Sequence, residues 1–240
     1  MLALDKPAGL LTSPHRDDPQ KPSLMKLLHT GLAQDKPWAK ERGLSYLMNT
    51  HRLDFETSGI LLLAKTKQAL VAMANLFGTE KPVKGYTALV HGSPGEARFT
   101  VNARLAPHAV RIGQMRVDKI GKRSRTEIEV RERFSNITLV TCQPLIERAH
   151  QIRLHLKHAG YPIIGDTLYG GSPLLLSQLK GQYRLKPGRS EKPLIERVAL
   201  HAEELAFVHP VSGARIGIRA PWPKDLSVAV KYLRRYAAKS

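Results

Sequence analysis

Asp54 is the residue of this chain best placed for acid–base or nucleophilic chemistry. It stands in His51-Arg52-Leu53-Asp54-Phe55-Glu56-Thr57-Ser58-Gly59, just before the wholly apolar run Ile60, Leu61, Leu62, Leu63, Ala64. A short apolar run without alternation, bounded by Ser58-Gly59 and Lys65, predicts a strand buried on both faces at the centre of a sheet. Asp54 would then sit at the mouth of the core, with Arg52 close enough to favour its ionised form. A positioned, ionised carboxylate can act as a nucleophile or a base. The same residue types also build ordinary turns, and on this stretch alone a turn is the better supported reading.

Other chemistries find less support. The chain has 10 histidines, and His150, His155 and His158 cluster on one predicted helix. However, His150 and His155 miss the i, i+4 spacing of a zinc pair, and H-E-x-x-H is absent. No metal site and no cofactor are therefore expected. Walker A, G-x-G-x-x-G and G-x-S-x-G patterns are also missing. The single cysteine, Cys142, rules out an internal disulfide, fits a reducing cytoplasm, and reads as a small core side chain in an alternating strand.

The elements that must hold these residues follow from periodicity. Leu2 to Leu4 reads as a strand leading into the Pro7-Ala8-Gly9 turn, and Ser23 caps a short helix through Leu28. Asp35 to Gly43, with Trp38, reads as a polar loop. Thr66 caps a helix with Leu70, Met73 and Phe77 on one face and Gly78 as its stop. Val83 to Val90 is strand-like and carries Tyr86, which by type alone is a half-buried sheet residue. Thr126, Ile128 and Val130 alternate with charged residues as in a half-buried antiparallel strand, with Asn136 to Cys142 as its partner. Residues Ala149 to Ala159 have helical spacing, Ile152 and Leu156 on one side, and Arg153 and Lys157 on another. By itself Arg153 reads as a solvated helix residue. A hairpin at Leu205 to Ile218 and an amphipathic helix from Ser227 to Ala238 complete the chain, while residues 186–192 read as a basic loop. Strands outnumber helices and are often consecutive. The expected class is α+β, with a mixed, mainly antiparallel central sheet, flanking helices and a basic cleft, as one domain over residues 1–240.

Charge narrows the partner. Among 240 residues, 42% of them hydrophobic, 38 Lys and Arg face 20 Asp and Glu, a formal charge of +18 and a pI near 10.2. Such an excess points to a polyanion, most simply nucleic acid. No apolar run approaches the ~20 residues needed to span a bilayer, so no membrane association is expected. Arg104, Arg111, Arg116, Lys119, Lys122, Arg123 and Arg125 form a basic stretch suited to a phosphate backbone.

Taken together, Asp5-Lys6-Pro7-Ala8-Gly9, His51-Arg52-Leu53-Asp54 with Thr57-Ser58-Gly59, Lys84-Gly85-Tyr86, Gly121-Lys122, His150-Gln151-Ile152-Arg153 with His155, Gly165-Asp166 with Tyr169-Gly170, Leu200-His201-Ala202 and His209-Pro210 resemble an RNA pseudouridine synthase of the RluA type. The pieces occur in the family's order along nearly the whole chain. The resemblance implies isomerisation of uridine to pseudouridine in structured ribosomal or transfer RNA by a cytoplasmic, cofactor-free monomer. It implies Asp54 as nucleophile, Tyr86 as the aromatic that stacks on the flipped base, and Arg153 as the cation that keeps the acid charged. Arg52 would help hold the flipped-out arrangement. RNA contacts are expected from His51, Arg148, His150, Lys122, Arg123 and Arg125 as well. One departure lies close to the site: Glu147-Arg148-Ala149 stands where the family usually has Gly-Arg-Thr. Many relatives also carry an S4-type RNA-binding domain, and here the catalytic domain is expected to begin at once. A catalytically silent RNA-binding module is the alternative. Intact Asp54, Tyr86 and Arg153 argue against it.

Overall fold

A computed structural model describes residues 1–15, 18–79, 82–185 and 188–238. In chain order the elements are β1 (Leu2–Lys6), α1 (Leu24–Ala33), α2 (Pro37–Lys40), β2 (Met48–Asn49), β3 (Ser58–Ala64), α3 (Lys67–Thr79), β4 (Val83–His91), β5 (Arg98–Pro107), β6 (Met115–Val117), β7 (Lys122–Arg133), β8 (Ile137–Ile146), α4 (Gln151–His158), α5 (Leu176–Leu179), β9 (Leu200–Val208), β10 (Arg215–Arg219) and α6 (Lys224–Tyr236), with a 3-10 turn at Thr167–Tyr169. The class is α+β, as the consecutive strand patterns predict. The chain divides into two compact units, Met1–Lys84 with Ala202–Pro221 and Gly85–His201 with Trp222–Ser240.

The first unit is built on β3. All seven of its residues are buried, because β1 and β9 flank it in the sheet and both of its faces are covered. With β1 it pairs antiparallel, Leu2 opposite Leu63 and Leu4 opposite Leu61. Ile60 and Leu62 join Met73, Leu76, Leu205 and Phe207 in one apolar cluster. Gly59, at φ +115°, starts the strand where an added Cβ would lie 2.3 Å from the Ala202 carbonyl oxygen. No other residue fits there without moving the backbone. Thr66 Oγ1 accepts from Ala69 N at 3.1 Å, the expected cap, but α3 runs through Gly78 and does not stop at it. Without a β-carbon clash or a left-handed turn there, glycine only weakens a helix. The predicted polar loop at 35–43 contains the short helix α2, with Pro37 in its first turn. The β9–β10 hairpin is antiparallel, as read.

In the second unit the strand order is β4-β8-β7-β5-β6, and the neighbours β4/β8, β8/β7, β7/β5 and β5/β6 are antiparallel. The alternation read for β7 is real: Ser124, Thr126 and Ile128 are buried, and Arg125 and Glu129 are exposed. Cys142 is fully buried on β8, and burial pushes its thiol pKa up. Both findings fit a core side chain and an unreactive one. Helix α4 packs against β5, β6 and β7 and ends at Gly160, φ +88°. Its first six residues, Gln151 through Leu156, are all buried. Arg153 is therefore not the solvated side chain that helical periodicity alone suggests. Helix α6 turns Leu226, Ala229, Val230 and Leu233 inward. Of the basic loop read at 186–192, residues 186–187 lie outside the described residues.

Candidate active site

In the first unit the segment carrying Asp54 is held from two sides. Thr12, buried, donates from Oγ1 to Leu53 O at 2.9 Å and accepts from Leu53 N at 3.1 Å. The fully buried ammonium of Lys6 donates to Pro7 O at 2.8 Å and Leu10 O at 2.7 Å, and reaches Phe55 O at 3.4 Å. Gly9 N also donates to Phe55 O, at 2.9 Å. The Asp5-to-Gly9 turn on the Phe55 side and Thr12 on the Leu53 side thus splint the backbone around Asp54, and Thr57 N closes the loop onto Asp54 O at 3.2 Å. Asp54 itself is half-buried. Thr12→Val would leave a buried N–H and a buried carbonyl of Leu53 unsatisfied. Chemical denaturation should show a loss of about 1–3 kcal/mol.

His51 is held inside this unit. Leu62 N donates to its Nε2 at 3.1 Å, its ring lies 5.7 Å from that of Phe77, and Lys84 Nζ sits over the same Phe77 ring. Burial first, then the Lys84 charge, lower its pKa to about 3. A neutral imidazole that accepts a backbone N–H braces the strand entry. Arg52, beside it, is exposed.

In the second unit Tyr86 is 8% exposed and sits on β4 opposite Cys142 of β8. Arg153 leaves α4 into a bidentate ion pair: Nε to Asp166 Oδ2 and Nη2 to Asp166 Oδ1, both 2.7 Å. The two residues are 5% and 1% exposed. The guanidinium also lies over the Tyr169 ring at 4.9 Å. A planar fork against a planar carboxylate, backed by an aromatic face, leaves Arg153 little freedom of orientation.

What docks α4 onto β7 is a directed hydrogen-bond chain around His155, which is fully buried. Ser124 Oγ donates to Ala103 O at 2.7 Å, so the Ser124 oxygen accepts from His155 Nε2 at 2.9 Å. The neutral ring then accepts at Nδ1 from Thr126 Oγ1, 2.9 Å away, and Thr126 accepts from Gln151 Nε2 at 3.0 Å. Burial, then the His158 charge, lower the His155 pKa to about 4. His51 and His155 both protonate more readily in the unfolded chain, near pH 6.5. Their contribution is complete above that value and lost as pH falls toward about 4. Unfolding free energy should therefore fall between pH 6.5 and 4.5, with a shallower slope in His155→Gln.

His150, at the N-terminus of α4, has φ +54°, an uncommon backbone for a side chain with a Cβ. Its Nδ1 lies 2.6 Å from Tyr169 Oη, which also accepts from Met115 N at 3.0 Å. Arg148 is exposed, with Nη1 donating to Glu147 O. Lys122, Arg123 and Arg125 lie exposed along β7. Arg123 stands directly opposite Arg104 of β5, and Arg125 opposite Asn102. Two like charges facing each other across strands are destabilising unless an anion covers them. Two residues are given no role by sequence reasoning: Asp166, the counter-ion of Arg153, and Tyr169, which touches both Arg153 and His150. The Gly165-Asp166 and Tyr169-Gly170 pattern after α4 was their signal.

Comparison with known proteins shows the family. A family model described as RNA pseudouridylate synthase matches residues 1–158. Ribosomal large subunit pseudouridine synthase D of Xylella fastidiosa is 34% identical over 246 residues, covering 99% of this chain and 68% of that protein. Ribosomal large subunit pseudouridine synthase C of Salmonella typhi is 34% identical over 239 residues, with 99% and 68% covered. The solved structure of human RNA pseudouridylate synthase domain containing 4 superposes with a TM-score of 0.70 at 22% identity, over 97% of this chain and 89% of that one. It shares the fold. With a family model spanning its first 158 residues and relatives aligned along nearly all of its length, the chain belongs to the RNA pseudouridylate synthases, isomerases that turn uridine into pseudouridine in RNA.

Proposed function

We propose that this enzyme modifies uridine in large-subunit ribosomal RNA, acting in the cytoplasm as a monomer and without a cofactor, and that the 240 residues work as one catalytic domain. The observation that carries the reading is the splinted Asp54 loop: Thr12 and Lys6 fix the backbone on both sides of a half-buried carboxylate. A loop that served only as a turn would have no need of two buried polar side chains dedicated to it. The substrate follows the named relatives, which are ribosomal large subunit enzymes.

The reaction breaks the N1–C1′ bond, turns the base and forms the C5–C1′ bond. The C5 proton is lost and N1 gains one, so the atoms balance without a co-reactant. Asp54 is the nucleophile, Tyr86 the face that replaces the lost base stack, and Arg153 the cation that favours the ionised acid. Their roles are those of the family residues they match. Arg52 holds the opened RNA. Lys122, Arg123 and Arg125 lie along the phosphates with Arg148, while His51 and His150 shape the backbone beside the site. A phosphate over the opposed Arg104 and Arg123 removes their mutual repulsion, and binding through this basic surface weakens steeply with added salt.

The test is incubation of the protein with transcribed large-subunit ribosomal RNA and with tRNA, pseudouridine being scored by carbodiimide derivatisation. Modification of the ribosomal transcript supports the reading. Modification of tRNA alone overturns the substrate, and binding without modification of any RNA overturns the enzyme in favour of a silent RNA-binding module.

A further inference from the structure

Within the second unit a cavity of about 510 Å3 opens beside α4, bounded by the 108–114 turn, β6, one face of α4 and the Thr167–Tyr169 turn. Its lining includes none of the residues proposed above for catalysis. Leu154 and Tyr169 are buried, Met115 is half-buried, and Arg111, Arg116 and Lys157 are exposed. Leu154 and Lys157 are three apart on α4 and so share a face. The inner wall is thus apolar and partly aromatic, and the mouth is cationic. Arg116 pairs with Asp118, whereas Arg111 and Lys157 make no ion pair among the described residues.

We infer that this cavity binds a second nucleotide of the RNA, distinct from the uridine that is modified, with its phosphate on Arg111 and Lys157 and its base against Met115, Leu154 and Tyr169. The inference rests on the reading of RNA as substrate. The volume falls within the ~300–1,000 Å3 of small-molecule sites, enough for one nucleotide. An apolar aromatic wall receives a base, and two cations that make no ion pair among the described residues receive a phosphate. The loop at the mouth offers a second, independent sign. Val110 and Ile112, on either side of Arg111, are 84% and 94% exposed. Aliphatic tips next to a cation suit insertion between bases, as apolar wedges do in nucleic-acid complexes. Tyr169 lines the cavity and also carries the Arg153 guanidinium on its ring. An occupant therefore touches the residue that supports the Arg153–Asp166 pair, and the identity of the second base gains a route to the catalytic arginine.

The test uses the full chain, 15N-labelled, titrated with adenosine, guanosine, cytidine and uridine 5′-monophosphates and, separately, with inorganic phosphate. The amides of Met115 and Leu154 should shift, and at least one mononucleotide should bind about ten-fold tighter than phosphate. Arg111→Ala combined with Lys157→Ala should weaken that binding about ten-fold or more. Leu168→Asp, at the cavity wall, should do so without touching either cation, and unchanged amide positions elsewhere check the fold of each variant. Equal affinity for phosphate and nucleotide, shifts confined to the surroundings of Tyr86, or unaltered binding in the variants would overturn the proposal. Absence of pseudouridine formation leaves these readouts intact, so failure of the enzyme reading is seen separately.

Discussion

Asp54→Asn is expected to abolish pseudouridine formation, by ~10^4-fold or more in kcat, as loss of a nucleophile commonly does, while the protein still folds. The two halves of that expectation rest on different observations. Asparagine keeps the size and shape of the side chain but cannot carry the negative charge that attacks or abstracts. The loop itself is held through backbone groups of Leu53, Phe55 and Asp54 by Thr12, Lys6, Gly9 and Thr57, none of which needs the carboxylate. Binding of RNA, measured at fixed salt, should survive because the substitution leaves Arg148, Lys122, Arg123 and Arg125, proposed above for the phosphates, unchanged. Unchanged modification by the variant would remove Asp54 from the mechanism, and a large fall in stability would return it to the structural turn that its neighbours also suggest.

Asp166→Ala should cost about 3–5 kcal/mol of stability, because it breaks a buried bidentate ion pair with Arg153, and should remove activity as well. At 1% exposure the aspartate contributes nothing to the protein surface. Its work is to hold both the Nε and Nη2 of one guanidinium. The double variant Arg153→Met with Asp166→Leu separates structure from chemistry. Replacing a buried ion pair by apolar groups of similar volume is often neutral or stabilising, so most of the lost stability should return in a denaturant titration. Activity should not return, since the cation is gone. Recovery of activity in the double variant would show that Arg153 only fills space.

The gap between what could be read and what had to be seen follows a physical line. Local patterns carried most of the elements: the unbroken apolar run gave β3, alternation gave β7 and its partner, and helical spacing gave α4 and α6. Each depends on near neighbours in the chain. Gly78 did not stop α3 because a glycine without a left-handed backbone only weakens a helix, and the loop assigned to 35–43 holds a short helix that Pro37 opens. The family motifs placed Asp54, Tyr86 and Arg153 in the candidate site without saying how each is held.

The sequence by itself determined the class of fold, the family, the charge that selects an RNA partner and the identity of the candidate acid, aromatic and arginine. All of these depend on residue type and order. Only the tertiary structure decided that Arg153 is buried against Asp166, that Lys6 and Thr12 splint the Asp54 loop, that His155 is a neutral strut between α4 and β7, and that Arg111 and Lys157 flank a cavity. Those are contacts between residues 13 to 49 positions apart. A one-dimensional pattern records neither the desolvation nor the hydrogen-bond geometry that assigns such side chains their work.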